Sequence, residues 1–140
     1  MSKRLIIIGL DGVPYHLIKD LSARGIMPNI RNLIERHRFN QIRSTLPEIS
    51  SVAWSSIITG KDPAAHGVFG FTDIEPLSYR VFFTNYCNLK ESPFWKERKD
   101  LYYQIINVPA TYPVQPLNGI LVSGFVSYEM NSSVYPRDLL

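Results

Sequence analysis

The 140-residue sequence has a single cysteine and lacks any long hydrophobic run. One cysteine, Cys87, excludes an internal disulfide framework and a thiolate-rich zinc site, and it fits a reducing cytoplasm, where we expect the protein to be located. The longest apolar run, residues 5–10, is too short to cross a bilayer. Asp11 and Pro14 follow it without a small-residue cleavage site, so a secretory signal is not expected. We therefore expect no membrane partner.

The net charge of the chain is also small. The chain has 15 basic and 12 acidic residues, a net charge of +3, and its basic residues are scattered rather than clustered. No nucleic-acid-binding motif accompanies them, so we expect no nucleic acid polymer as a partner. With 45% hydrophobic and 12% aromatic residues the chain is expected to fold, as one domain or as part of one.

The order of apolar and turn-forming residues predicts an α/β fold. The isoleucine-rich run at 4–10 is typical of a strand that is buried on both faces of a parallel sheet. Downstream we predict helices that begin near Pro14, Pro28, Ser50 and Pro93, strands over 39–45, 80–86, 102–108 and 119–125, and an irregular loop over 61–79. This alternation favours a largely parallel sheet with helices on both faces.

Asp11 follows the predicted first strand directly. Ligands of α/β folds bind beyond the carboxyl ends of the strands, and a carboxylate there is able to coordinate a divalent cation. Aspartate is also a good helix cap, so local sequence leaves two interpretations of Asp11: a cap for the helix that follows, or a metal ligand.

Ser50 is predicted to begin a helix that Gly60 ends. A hydroxyl at a helix start lies beside backbone N–H groups and the positive end of the helix dipole, an arrangement that binds phosphate and favours an alkoxide. The alternative is an ordinary N-cap. Ser50 does not lie in a Gly-x-Ser-x-Gly motif, which disfavours a Ser-His-Asp hydrolase. A metal is then the more coherent activator of the serine hydroxyl as a nucleophile.

Of the three histidines, His66 is the most suggestive, because it lies in a glycine-containing loop after the Ser50 helix. Both a ligand role and a loop-bracing role are open to it.

Six blocks together resemble the type I phosphodiesterase/nucleotide pyrophosphatase family of the alkaline phosphatase superfamily. They are IIGLDG at 7–12, MPNI at 27–30, the stretch from Ser50 to Gly60, PAAHG at 63–67, PFW at 93–95 and NVPATYP at 107–113. The resemblance covers nearly the whole chain. It implies an alkaline phosphatase-like α/β/α sandwich and a small phosphate-ester substrate.

The resemblance also implies a site with two divalent metal ions, usually zinc with manganese as the alternative, in which a Thr or Ser attacks phosphorus. The family's nucleophile lies ten residues before the glycine of a Thr-Gly pair, and counting back from Gly60 gives Ser50, with Ser51 as the neighbour to test. Asp11 matches the first metal ligand. Asp11 and Ser50 together would hold one cation, and hydrolysis would pass through a phosphoserine.

Two departures from the family pattern limit what the resemblance implies. Phe71 stands where nucleotide pyrophosphatases have an asparagine that holds a phosphate oxygen, so phosphate clamping stays unassigned. The family's remaining ligands, aspartates and histidines, lie beyond the region covered, so we expect residues 1–140 to be the N-terminal part of the domain and weak or inactive alone. The alternatives are a non-catalytic domain that binds a phosphate ligand or a partner, and a phosphotransferase similar to phosphoglycerate mutases.

Overall fold

A computed structural model describes residues 4–140, which fall into two compact units that meet in sequence between Arg43 and Ser44. The first unit contains helices α1 (Tyr15–Ala23) and α2 (Pro28–Arg36), close to their predicted positions. Gly25 lies between them with φ +76°, a left-handed conformation that favours glycine and ends α1. Both predicted helices of this unit are confirmed.

Two predicted strands, over 4–10 and 39–45, are not formed. Residues 4–10 have no regular secondary structure, and Leu5 and Ile8 are 85% and 81% exposed. Residues 39–45 likewise contain no strand. An apolar segment becomes a strand only where a neighbouring strand accepts and donates its backbone hydrogen bonds, and the described part of the first unit, residues 4–43, contains no strand. The predicted burial of the first segment is therefore wrong for this structure.

The second unit holds the remaining elements. Their bounds are α3 (Ser50–Thr59), α4 (Pro63–His66), β1 (Thr72–Ile74), β2 (Val81–Phe83), α5 (Phe94–Glu97), β3 (Tyr103–Val108), β4 (Gly119–Ser123) and β5 (Val134–Tyr135). Short 3₁₀ turns lie at Tyr86–Asn88, Met130–Ser132 and Arg137–Leu139. The segment 61–79 was predicted as a loop, and it contains α4 and β1 as well.

Two small sheets form in this unit. β1 and β2 make an antiparallel hairpin with Thr72 opposite Phe83. In the second sheet, of order β3-β4-β5, β3 and β4 are parallel with Tyr103 opposite Gly119, and β5 is antiparallel to β4. The α/β class is confirmed with mixed sheets, whereas a largely parallel sheet with helices on both faces is not confirmed.

The core of the second unit joins its helices to the parallel strand pair. Ile58 of α3, Trp95 of α5, Ile105 of β3 and Leu121 of β4 form one buried cluster, and each is at most 9% exposed. Burying side chains of this size contributes roughly 1.5–3 kcal/mol each. Helix α3 is thereby held against the sheet by its C-terminal half. Among residues 4–140, no helix is long and apolar enough to cross a membrane.

Candidate functional site

Ser50 is the first residue of α3 and is partly buried. Ile49 occupies the N-cap position with extended backbone, and its side chain makes no capping hydrogen bond. Gly60 ends the helix at φ +67°, where its N–H donates to the Ser56 carbonyl at 2.8 Å. The structure therefore places Ser50 at the positive end of a ten-residue helix, and the interpretation of Ser50 as an ordinary N-cap is wrong.

Asp11 lies in a turn with Gly12, whose φ is +67°. It is exposed. Helix α1 begins four residues later, and its N-cap position is occupied by Pro14 rather than by Asp11. Metal binding by Asp11 stays a prediction.

Asp11 belongs to the first unit and Ser50 to the second. Within residues 4–140, no three or more His, Cys, Asp and Glu side chains form a group that could hold a metal ion. Asp11 and Ser50 do offer carboxylate and hydroxyl oxygens, the donor types that divalent cations accept. Each residue supplies the kind of oxygen that one ligand position needs, and a zinc site takes at least three protein ligands.

A stripe of buried hydroxyls runs along one face of α3. Ser51, Ser55 and Thr59 follow each other at helical spacing of four and are 4%, 0% and 8% exposed. Ser55 Oγ donates to the Ser51 carbonyl at 2.7 Å, and Thr59 Oγ1 donates to the Ser55 carbonyl at 2.7 Å. Two of the three hydroxyls are thus satisfied by the backbone of the turn before them.

Ser51 differs from the other two members of this stripe. Its Oγ is buried and has no hydrogen-bond partner in the described part of the chain. The equivalent acceptor, the Pro47 carbonyl, already accepts from Ile49 N–H at 3.0 Å and from Thr45 Oγ1 at 3.1 Å. Because a carbonyl oxygen has two lone pairs, no acceptor site is left there for Ser51.

His66 ends α4 and is fully buried. Its Nδ1 accepts a hydrogen bond from Val68 N–H at 3.2 Å, which places the ring proton on Nε2. Nε2 lies 2.8 Å from Ser56 Oγ and donates to it, so the ring joins α3 to the loop after α4. Both ring nitrogens are occupied by these bonds, and the structure gives His66 the loop-bracing role.

Burial lowers the pKa of His66 below its usual range, and the nearby Asp62 carboxylate opposes this shift more weakly. The folded state therefore binds the proton less readily than the unfolded chain does. The contribution of His66 to stability is complete above about pH 6.5, the unfolded pKa, and decreases as the pH falls from there towards the lowered folded pKa.

We expect the melting temperature to fall as the pH is lowered from about 6.5. Thermal unfolding of the chain between pH 8 and pH 5 measures this, with His66→Gln as a control that removes the titrating ring. His16 and His37 are retained in both proteins, so the difference between the two pH profiles reports on His66. Parallel profiles for the two proteins would contradict the expectation.

The block at 107–113 has a structural role at the carboxyl ends of the parallel strands. The side chain of Thr111 is fully buried, and its Oγ1 donates to the Val108 carbonyl at 2.6 Å. Gly124, which follows β4, donates its N–H to the Val108 carbonyl at 3.0 Å and lies 3.3 Å from Thr111 Oγ1. A Cβ on Gly124 would lie 2.5 Å from the Val108 carbonyl carbon, so only glycine fits this close approach.

Sequence reasoning missed two features of this region, the orphaned hydroxyl of Ser51 and the Ser56–His66 hydrogen bond. The spacing of Ser51, Ser55 and Thr59 was a usable signal for a polar helix face, but the acceptors depend on the turn before α3. Phe71 packs edge-on against Phe125 at 5.7 Å between ring centroids, so its ring belongs to an aromatic contact rather than to a phosphate clamp.

Searches among curated proteins and among solved structures found no match. Comparison with protein families found a match to "Type I phosphodiesterase / nucleotide pyrophosphatase" over residues 5–116. The matched range contains Asp11, all of α3 and His66. The chain belongs to the type I phosphodiesterase/nucleotide pyrophosphatase family.

Proposed function

We propose that this chain is part of a metal-dependent hydrolase that cleaves phosphoric esters of the phosphodiester or nucleotide pyrophosphate type. The observation that carries the proposal is the family match over residues 5–116, together with the position of Ser50 as the first residue of α3 inside that range. A serine at a helix start has its hydroxyl beside the positive end of the helix dipole, where a phosphoryl group is favoured.

In this proposal Ser50 is the nucleophile. Its Oγ forms a bond to phosphorus while the bond between phosphorus and the ester oxygen breaks, and the hydroxyl proton leaves to solvent as the departing oxygen takes up a proton. Water then attacks the phosphorus of this phosphoserine ester, which releases a phosphomonoester and restores the hydroxyl. The positive end of the α3 dipole stabilises the negative charge on the phosphoryl oxygens throughout.

Members of this family are generally metal-dependent. We propose two divalent cations, zinc or manganese, with Asp11 and Ser50 as ligands of one of them and the other ligands in the part of the domain that follows residue 140. When bound, such a pair stabilises the charge on the attacking and leaving oxygens. By the same argument, residues 1–140 alone would hydrolyse esters slowly or not at all. We also propose a cytoplasmic location for the protein, because a single cysteine fits a reducing compartment.

The proposal is tested on the full reading frame that encodes this chain. Hydrolysis of bis(4-nitrophenyl) phosphate is measured in zinc or manganese and again after removal of metal with a chelator. We expect turnover that the chelator abolishes and that added metal restores. Absence of phosphodiester hydrolysis under all these conditions, or hydrolysis that survives chelation, would overturn the proposal.

Substitution Asp11→Asn is expected to weaken zinc binding by at least about tenfold, because an amide oxygen lacks the negative charge of the carboxylate ligand. Calorimetric titration of the metal-free full-length protein with zinc measures the affinity. The matched control is Asp20→Asn, which removes an exposed carboxylate from α1 that lies 3.7 Å from Arg24. Equal zinc affinities for the two variants would exclude Asp11 as a ligand.

A further inference from the structure

The hydroxyl of Ser51 is the unexplained group at the start of α3. Ser51 is 4% exposed, and its Oγ has no hydrogen-bond partner within residues 4–140. Leaving a buried hydroxyl unsatisfied costs about 1–3 kcal/mol, so such a group calls for a function or a ligand. Replacement by alanine would remove this cost with little loss of packing.

The local structure explains why Ser51 alone is left over. Ser55 and Thr59, on the same face, donate to the carbonyls four residues before them. The carbonyl four residues before Ser51 belongs to Pro47, and the turn at 45–49 has already filled its two acceptor positions. The turn that leads into α3 therefore leaves Ser51, the first hydroxyl of the stripe, without a backbone acceptor. Ser55 and Thr59 keep their acceptors, because these carbonyls lie within α3 itself.

The same hydroxyl lies at the helix end where an anion is favoured. In an α-helix the Cα–Cβ bonds tilt towards the N-terminus, so the side chain of the second residue leans over the first turn. The N–H groups of Val52 and Ala53 already donate to the Ile49 carbonyl, at 3.0 and 2.9 Å, so the anion is favoured there by the positive end of the dipole of this ten-residue helix. A donor hydroxyl at the positive end of a helix is suited to hold a phosphoryl oxygen.

We infer that Ser51 Oγ donates a hydrogen bond to an oxygen of the phosphoryl group that reacts at Ser50. The inference rests on the proposed function and adds a phosphate-binding residue to it. Ser50 and Ser51 then have separate tasks: the first attacks phosphorus, and the second holds a phosphoryl oxygen without forming a covalent bond.

Binding of inorganic phosphate to the 140-residue chain, without added metal, tests this inference. Calorimetry at constant ionic strength compares the wild type with Ser51→Ala and with the matched control Ser55→Ala, which removes a satisfied hydroxyl from the same buried face. We expect Ser51→Ala to weaken phosphate binding by about tenfold or more, as for the loss of a hydrogen bond to a charged group, with an unchanged or higher melting temperature. Ser55→Ala should keep the phosphate affinity and lower the melting temperature.

Three outcomes would overturn the inference: no phosphate binding by the wild type at millimolar concentration, equal affinities for wild type and Ser51→Ala, or equal losses in the two variants. Equal phosphate affinities for the wild type and Ser51→Ala would mean that the Ser51 hydroxyl binds only an interior water molecule. Failure of the proposed function is seen separately, in the turnover of the full-length protein and in its response to substitution of Ser50.

Discussion

Replacement of Ser50 by alanine is expected to lower phosphodiester hydrolysis by the full-length protein by about 10³-fold or more, because the variant has no oxygen with which to attack phosphorus. The measurement is the steady-state rate with bis(4-nitrophenyl) phosphate at saturating zinc. In the wild type, mass spectrometry of acid-quenched protein should find a 4-nitrophenyl phosphoryl group on Ser50, since only one of the two nitrophenolates has left, and in Ser50→Ala this group should be missing.

Two further variants separate the nucleophile from other uses of this position. Ser50→Thr retains a hydroxyl and should keep part of the activity, although its extra methyl group has to fit beside Trp54 one turn later. Ser51→Ala should weaken phosphate binding while it retains the phosphoserine. If Ser50→Ala kept more than about a tenth of the wild-type rate, the nucleophile would have to be sought at Ser51 or Thr45.

The helices were predictable from sequence because their signals are local. Pro28 at the first position of α2 and glycines after α1 and α3 fix these boundaries without reference to the rest of the chain. The strands β3 and β4 were also predicted, since each carries a branched apolar run, whereas their pairing with each other was not. The strand over 4–10 was not formed, because its hydrogen-bond partners are not a property of those residues.

The candidate site also contains some features that local sequence predicts and others that depend on the folded structure. Asp11 and Ser50 were identified by their places after an apolar run and at a helix start, and in the structure Pro14 and Ile49 occupy the N-cap positions of the two helices. The missing hydrogen bond of Ser51 Oγ could not be predicted from sequence, because it depends on which other groups donate to the Pro47 carbonyl. The role of His66 was left open for a similar reason: a ligand and a brace differ in what the ring nitrogens contact.

His66→Ala is expected to lower the free energy of unfolding by about 3 kcal/mol. The change leaves a cavity where a fully buried ring was, and it removes the partners of Ser56 Oγ and Val68 N–H at once. Urea denaturation of the 140-residue chain measures the difference. The control Ser56→Ala removes one hydrogen bond and leaves the ring in place, so it should cost only about 1–2 kcal/mol.

A double-mutant cycle then distinguishes a brace from a metal ligand. If His66 and Ser56 act through their shared hydrogen bond, the double variant should be less destabilised than the sum of the two single variants, by about 1 kcal/mol. A ligand role makes a different prediction: zinc would raise the melting temperature of the wild type and have no effect on His66→Ala. Because Nδ1 accepts from Val68 N–H and Nε2 donates to Ser56, the ring has no lone pair left for a cation. We therefore expect the coupling energy to be present and the zinc response to be the same with and without the His66 side chain.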